Sequence, residues 1–154
     1  MSVHLRELDD FARRLIEGWP TPRVIGIDGT LGAGKTTLVR SIAAAVGVDP
    51  ADVTSPTFTI MNVYPVTERG PLKQIHHIDA YRLDGPEDWD GFGGSHWAER
   101  PDAWTIVEWS DRVAEVLPAD RVRIRIDVVD PTTRRIEVID GNLTDRDAAS
   151  PREG

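Results

Sequence analysis

The chain has no cysteine, so disulfides, zinc–thiolate sites and thiol catalysis are excluded. It also lacks a long hydrophobic run. The longest nearly apolar stretch, Ile42 to Val48, falls far short of the roughly 20 residues a membrane-spanning helix needs, and no membrane contact is expected. The N-terminal segment MSVHLRELDDFARRL is charged and has no apolar core of a signal peptide, so a cytoplasmic location is the expectation. Basic charge is short as well: 18 Lys and Arg stand against 26 Asp and Glu, a formal net charge of -8. Strong direct binding of nucleic-acid phosphates by this chain alone is therefore disfavoured. Two local concentrations, Arg6 with Arg13 and Arg14, and Arg121, Arg123, Arg125, Arg134 and Arg135, read as solvated helix and strand faces.

What is present is ordinary for a folded domain, with 40% hydrophobic and 29% charged residues over 154 positions. No internal repeat is visible. Leu5, Leu8, Ala12, Leu15 and Ile16 recur at helical spacing before Gly18, which predicts an amphipathic first helix. Arg23 to Asp28 is a short buried strand running into glycines, and Thr36 to Val46 is helical with Gly47 as its stop. Strands follow at Phe58 to Tyr64, Gln74 to Leu83 and Thr105 to Trp109. A hairpin is expected from Val122–Val128 and Ile136–Val138 around Asp130-Pro131-Thr132-Thr133. Asp84 to Asp102, rich in Gly, Pro, Asp and Trp, reads as a loop or short helix near the surface. The expectation is an α/β fold, a small three-layer sandwich whose C-terminal half is rich in strands. It comprises one domain over residues 1–141 and a frayed polar tail over 142–154.

Gly29-Thr30-Leu31-Gly32-Ala33-Gly34-Lys35-Thr36 matches the P-loop pattern in full, with an apolar strand before it and a helix after. Such a loop wraps a phosphate with backbone N–H groups, and side chains at Gly32 and Gly34 would obstruct that approach. The helix beginning at Lys35 turns its free N–H groups and positive dipole end toward the anion. Lys35 neutralises the outer phosphates, the Thr36 hydroxyl ligates Mg²⁺, and Thr37 adds a donor to an inner phosphate. Only two of the 18 basic residues are lysines, yet one stands where a compact ammonium suits the loop better than a planar fork. A nucleoside triphosphate with magnesium is the expected ligand.

A P-loop also needs a carboxylate at the end of a buried strand to hold the metal or its waters, and two acids, Glu108 and Asp79, are candidates for that metal site. Glu108 ends the apolar run Ile106-Val107, and Asp79 ends Gln74-Ile75-His76-His77-Ile78. Ser55-Pro56-Thr57-Phe58 lies where P-loop enzymes keep a switch segment, so Ser55 and Thr57 are candidates to sense the γ-phosphate or hold the attacking water. Strand alternation sets His76 and His77 on opposite faces, so at most one serves a site. Trp109 either stacks near the nucleotide or packs. Asp88-Trp89-Asp90-Gly91 imitates a GTPase motif but follows no apolar strand, and the chain has no N-K-x-D base-reading motif.

Taken in order, Leu31–Arg40, Thr54–Phe58, His77–Leu83 and Ile106–Arg112 with Leu117-Pro118 resemble the TsaE family of bacterial tRNA threonylcarbamoyladenosine biosynthesis. The resemblance implies a small P-loop ATPase whose ATP hydrolysis resets a partner complex. That complex is a threonylcarbamoyl transferase with its paralogous subunit, which would also hold most of the tRNA. On matching positions it implies that Gly32, Ala33, Gly34, Lys35, Thr36 and Thr37 bind phosphates. It gives Thr36 and Glu108 to Mg²⁺, makes Asp79 the second acid, and places Ser55 and Thr57 in the switch. Trp109 and Arg82 are motif residues. Leu8 stands near a position where such proteins often carry Thr beside the nucleotide.

Two other classes stay open on the residues alone. A small-molecule or nucleoside kinase would need a lid with clamping arginines, for which Arg82, Arg100 and Arg112 are the candidates. A nucleotide-gated binding module would keep the site but not the chemistry.

Overall fold

In the computed structural model, residues 1–56 and 60–141 are described. The expectations for Thr57, for Phe58 and for the tail at 142–154 lie outside these. Among the described residues, seven strands make one sheet: β1 (Ser2–His4), β2 (Arg23–Asp28), β3 (Met61–Pro65), β4 (Gln74–Asp79), β5 (Ala103–Glu108), β6 (Val122–Asp130) and β7 (Thr133–Asp140). Their order is β1-β7-β6-β2-β5-β4-β3. β6, β2, β5 and β4 run parallel, while β3 and the β7–β1 pair add antiparallel edges. β2, β5 and β4 are buried on both faces, as the centre of a parallel sheet requires, whereas β6 exposes alternate residues such as Arg123 and Arg125.

Alternation along the strands divides the core in two. Ile25 and Ile27 of β2 and Ile106 of β5 pack with Leu8 and Phe11 of α1 (Leu8–Leu15) and with Leu38 and Ile42 of α2 (Lys35–Ala45). On the opposite face Val24, Ile78 and Val107 pack with Trp89, Val113 and Leu117. This is the expected three-layer sandwich. Helix α2 ends in a Schellman turn: Gly47 has φ 87°, its N–H donates to the Ala44 carbonyl, and the Val48 N–H donates to Ala43. Leu8 is 3% exposed and belongs to the core, so its side chain is taken up by packing.

Three elements differ from the expectations. The N-terminus forms a strand on β7 before α1 begins. The segment Asp84 to Asp102 forms short helices as expected, α3 (Pro86–Gly91) and α4 (Gly94–Ala98), but its Trp89 is completely buried rather than near the surface. The strand expected to run to Leu83 stops at Asp79, whose side chain caps the 3-10 turn Ala80–Arg82 by accepting from the Tyr81 N–H.

His76 faces the side of β4 away from the P-loop. It is wholly buried, with Trp97 edge-on at 5.3 Å. Burial holds its imidazole below the ordinary value of 6.5. The unfolded chain then takes up a proton at a higher pH than the native one. This contribution to stability is complete above about pH 6.5 and is lost as the pH falls from there through the folded value. Thermal melts are expected to show the melting temperature dropping across that window, with a shallower slope in His76→Gln. An identical slope in the variant would remove His76 as its source.

Candidate functional site: a phosphate loop at the carboxyl edge of the sheet

β2, β4 and β5 end side by side, with Ile27 opposite Glu108 and Glu108 opposite Asp79. The loop, Glu108 and Asp79 therefore meet at one edge, where open α/β sheets bind their ligands. Glycine is required at both ends of the loop for different reasons. A Cβ on Gly29 would lie 2.2 Å from the backbone oxygen of Ile126. Gly34 has φ 103° and turns the chain into α2.

Lys35 opens α2 and is 5% exposed. Its Nζ donates to the carbonyls of Gly29 at 2.8 Å and Thr30 at 2.9 Å and lies 4.0 Å from the centre of the Trp109 ring. Burial lowers its pKa, while Glu108, Asp28 and Asp79 pull the other way. The Thr36 hydroxyl lies 2.8 and 3.0 Å from the two oxygens of Glu108, which is 3% exposed. Behind Glu108, His77 Nε2 sits 2.5 Å from Oε2. Asp79 accepts from the Tyr81 N–H at 2.9 Å and faces the Ser55 hydroxyl at 3.5 Å.

Trp109 has φ 58°, a left-handed conformation uncommon outside glycine. Its N–H donates to Ile27, and the chain beyond it is pinned by Asp28. That carboxylate accepts from the Ser110 hydroxyl at 2.6 Å and from the Asp111 N–H at 3.0 Å. The indole is thereby held over the Lys35 ammonium.

A cavity of about 370 Å³ is lined by Gly32, Gly34, Lys35, Thr36 and Thr37, together with Ser55, Asp79, Glu108 and Trp109. All but two of the site residues expected from the sequence thus meet in one cleft. Ala33 is not in its lining: it is fully buried, and its N–H donates to Thr30 within the loop. Thr57 lies outside the described residues. Sequence reasoning missed Arg134, read as part of a solvated face. Its Nε donates to the Ala33 carbonyl at 2.8 Å, fastening the β6–β7 turn to the loop. The separation of 101 residues left no local signal for this contact. It also left the choice between His76 and His77 open, and it missed Tyr64, which lies behind His77.

The donors suit a hard cation. Thr36 and Glu108 offer only oxygen, the ligand type magnesium takes. Among the described residues no group of three or more acidic or histidine side chains forms a metal cage. Magnesium characteristically binds through one or two carboxylates plus phosphates and water. No helix of the described residues is long and apolar enough to cross a membrane.

A sheet whose parallel centre delivers a glycine loop, a buried lysine and strand-end acids to one edge defines the P-loop NTPase fold. Residues 3–136 match the family model described as threonylcarbamoyl adenosine biosynthesis protein TsaE, and the chain belongs to that family. It thereby falls among proteins of tRNA threonylcarbamoyladenosine biosynthesis. A TsaE protein of Streptomyces coelicolor is 41% identical over 127 residues, which are 80% of this chain and 78% of that one. The Haemophilus influenzae protein of the same description is 35% identical over 116 residues, covering 75% and 69%. The crystal structure of Bacillus subtilus YdiB superposes with a TM-score of 0.69 at 25% identity, over 96% of this chain and 88% of that one.

Proposed function

We propose that this chain is a magnesium-dependent ATPase of tRNA threonylcarbamoyladenosine biosynthesis, a single unit over residues 1–141. Its ATP hydrolysis, slow alone, resets a threonylcarbamoyl transferase and its paralogous subunit. The observation that carries this is the meeting of Lys35 and Thr36 with Glu108 and Asp79 in one cleft. The loop's free N–H groups and Lys35 hold the phosphates. Thr36 and Glu108 would hold the metal directly, and Asp79 would hold one of its waters. When bound, magnesium supplies positive charge to the β- and γ-phosphates and fixes their orientation. Ser55 faces Asp79 in the cleft, and in this reading the switch segment of Ser55 and Thr57 senses the γ-phosphate or helps hold the attacking water. The net charge of -8 fits a protein that meets tRNA mainly through its partners, and the expected location is the cytoplasm.

Lys35→Ala tests the phosphate site. Loss of a charge-assisted contact is expected to weaken ATP binding about 10- to 100-fold, as read by calorimetry. Binding within about twofold of the parent would place the nucleotide elsewhere. Addition of the transferase pair to the parent protein is expected to raise turnover. No response to the pair would remove the reset role.

A further inference from the structure

Behind the carboxylate that would hold the metal lies a chain of buried polar groups with no part in the reading above. Glu108 sits at the end of β5, His77 on β4 and Tyr64 on β3. His77 is 0% exposed and Tyr64 4% exposed. His77 Nε2 is 2.5 Å from Glu108 Oε2, and its Nδ1 is 2.8 Å from the Tyr64 oxygen. The same phenol oxygen lies 3.2 Å from the carbonyl of Thr54, immediately before Ser55 of the cleft. Three adjacent strands thus carry an unbroken polar line from the cleft to the segment that follows α2.

Packing alone does not account for this line. An apolar pair at His77 and Tyr64 would avoid burying polar atoms that must be matched. Each group here has a defined task. One ring nitrogen of His77 faces a Glu108 oxygen and the other faces the Tyr64 hydroxyl, so the imidazole bridges the two groups. The Tyr64 hydroxyl in turn lies between His77 Nδ1 and the Thr54 carbonyl.

We propose that Tyr64 and His77 are positioning residues that hold Glu108 in its metal-binding orientation and tie that orientation to the Thr54–Ser55 segment. This rests on the magnesium-dependent nucleotide site proposed above. Partners behind a metal ligand commonly govern affinity by about 10- to 100-fold when removed. The link to Thr54 means that loading the metal and placing Ser55 are not independent events.

The test measures ATP affinity by calorimetry, with magnesium and with EDTA, in the parent, Tyr64→Phe, His77→Leu and His77→Gln. Thermal melts confirm that each is folded. In the parent, magnesium is expected to tighten binding. In Tyr64→Phe the magnesium concentration giving half of that gain should rise about five- to tenfold, while affinity in EDTA stays unchanged. His77→Leu should do more, and His77→Gln, which keeps a donor toward Glu108, should recover part of the loss. Hydrogen exchange of the Val53 and Ser55 amides should respond to magnesium with ATP in the parent and lose that response in Tyr64→Phe. An unchanged magnesium requirement in both Tyr64→Phe and His77→Leu would overturn the proposal. A parent whose ATP affinity ignores magnesium would instead overturn the functional reading beneath it.

Discussion

Glu108→Ala is expected to cut single-turnover ATP hydrolysis by about 100- to 1,000-fold, equivalent to roughly 3–4 kcal/mol of lost transition-state stabilisation. The carboxylate is 3% exposed at the end of a central strand and is the point where the loop hydroxyl of Thr36 and the buried His77 meet. Its removal takes away the negative charge that would hold magnesium and leaves two polar groups without their shared acceptor. Glu108→Gln separates these effects, because it keeps the shape and one acceptor oxygen but not the charge. Both variants should therefore lose most hydrolysis, while Gln should retain more thermal stability than Ala. ATP binding in EDTA should stay near the parent level in Glu108→Gln, since Lys35 and the loop N–H groups remain. Hydrolysis by Glu108→Gln within about threefold of the parent would show that the charge is not used.

The loop, the two acids and the fold around them were legible because each depends on local sequence. A strand, a glycine turn and a helix lie contiguously from Arg23 to Ala45. Parallel pairing then brings the ends of β4 and β5 beside the loop without any specific side-chain contact. Alternation separated His76 from His77, and the structure gives one to the Trp97 side and the other to Glu108. Long-range contacts were not legible. Arg134 reaches the loop only because the β6–β7 turn lies over it. Strand β1 needs β7 as its template, and its three residues are too few to show a pattern. The burial of Trp89 was not legible because Gly, Pro and Asp dominate the composition of Asp84 to Asp102, whereas Trp89 decides its packing.

Trp89→Ala is expected to destabilise the protein by about 3–5 kcal/mol, among the larger costs of truncating a core side chain. The indole is 0% exposed and fills the second core cluster with Val24, Ile78, Val107, Val113 and Leu117. Phe92 meets it edge-on at 5.3 Å, and Nε1 donates to the Ser95 hydroxyl at 3.3 Å. Gly94 crosses so close that a Cβ there would stand 2.3 Å from the ring. Neighbours fitted this tightly around a large ring relax only partly when it is removed, and a cavity remains. For a chain of this length the melting temperature should fall by roughly 10 °C or more. Trp89→Phe, which refills much of the volume, should lose much less. The consequence reaches the cleft, because Ile78 and Val107 directly precede Asp79 and Glu108 on their strands. A loosened cluster therefore frees both acids at once, and ATP with magnesium should restore part of the lost stability by binding only the native form. A melting temperature within about 3 °C of the parent would mean that Trp89 is not the anchor of that layer.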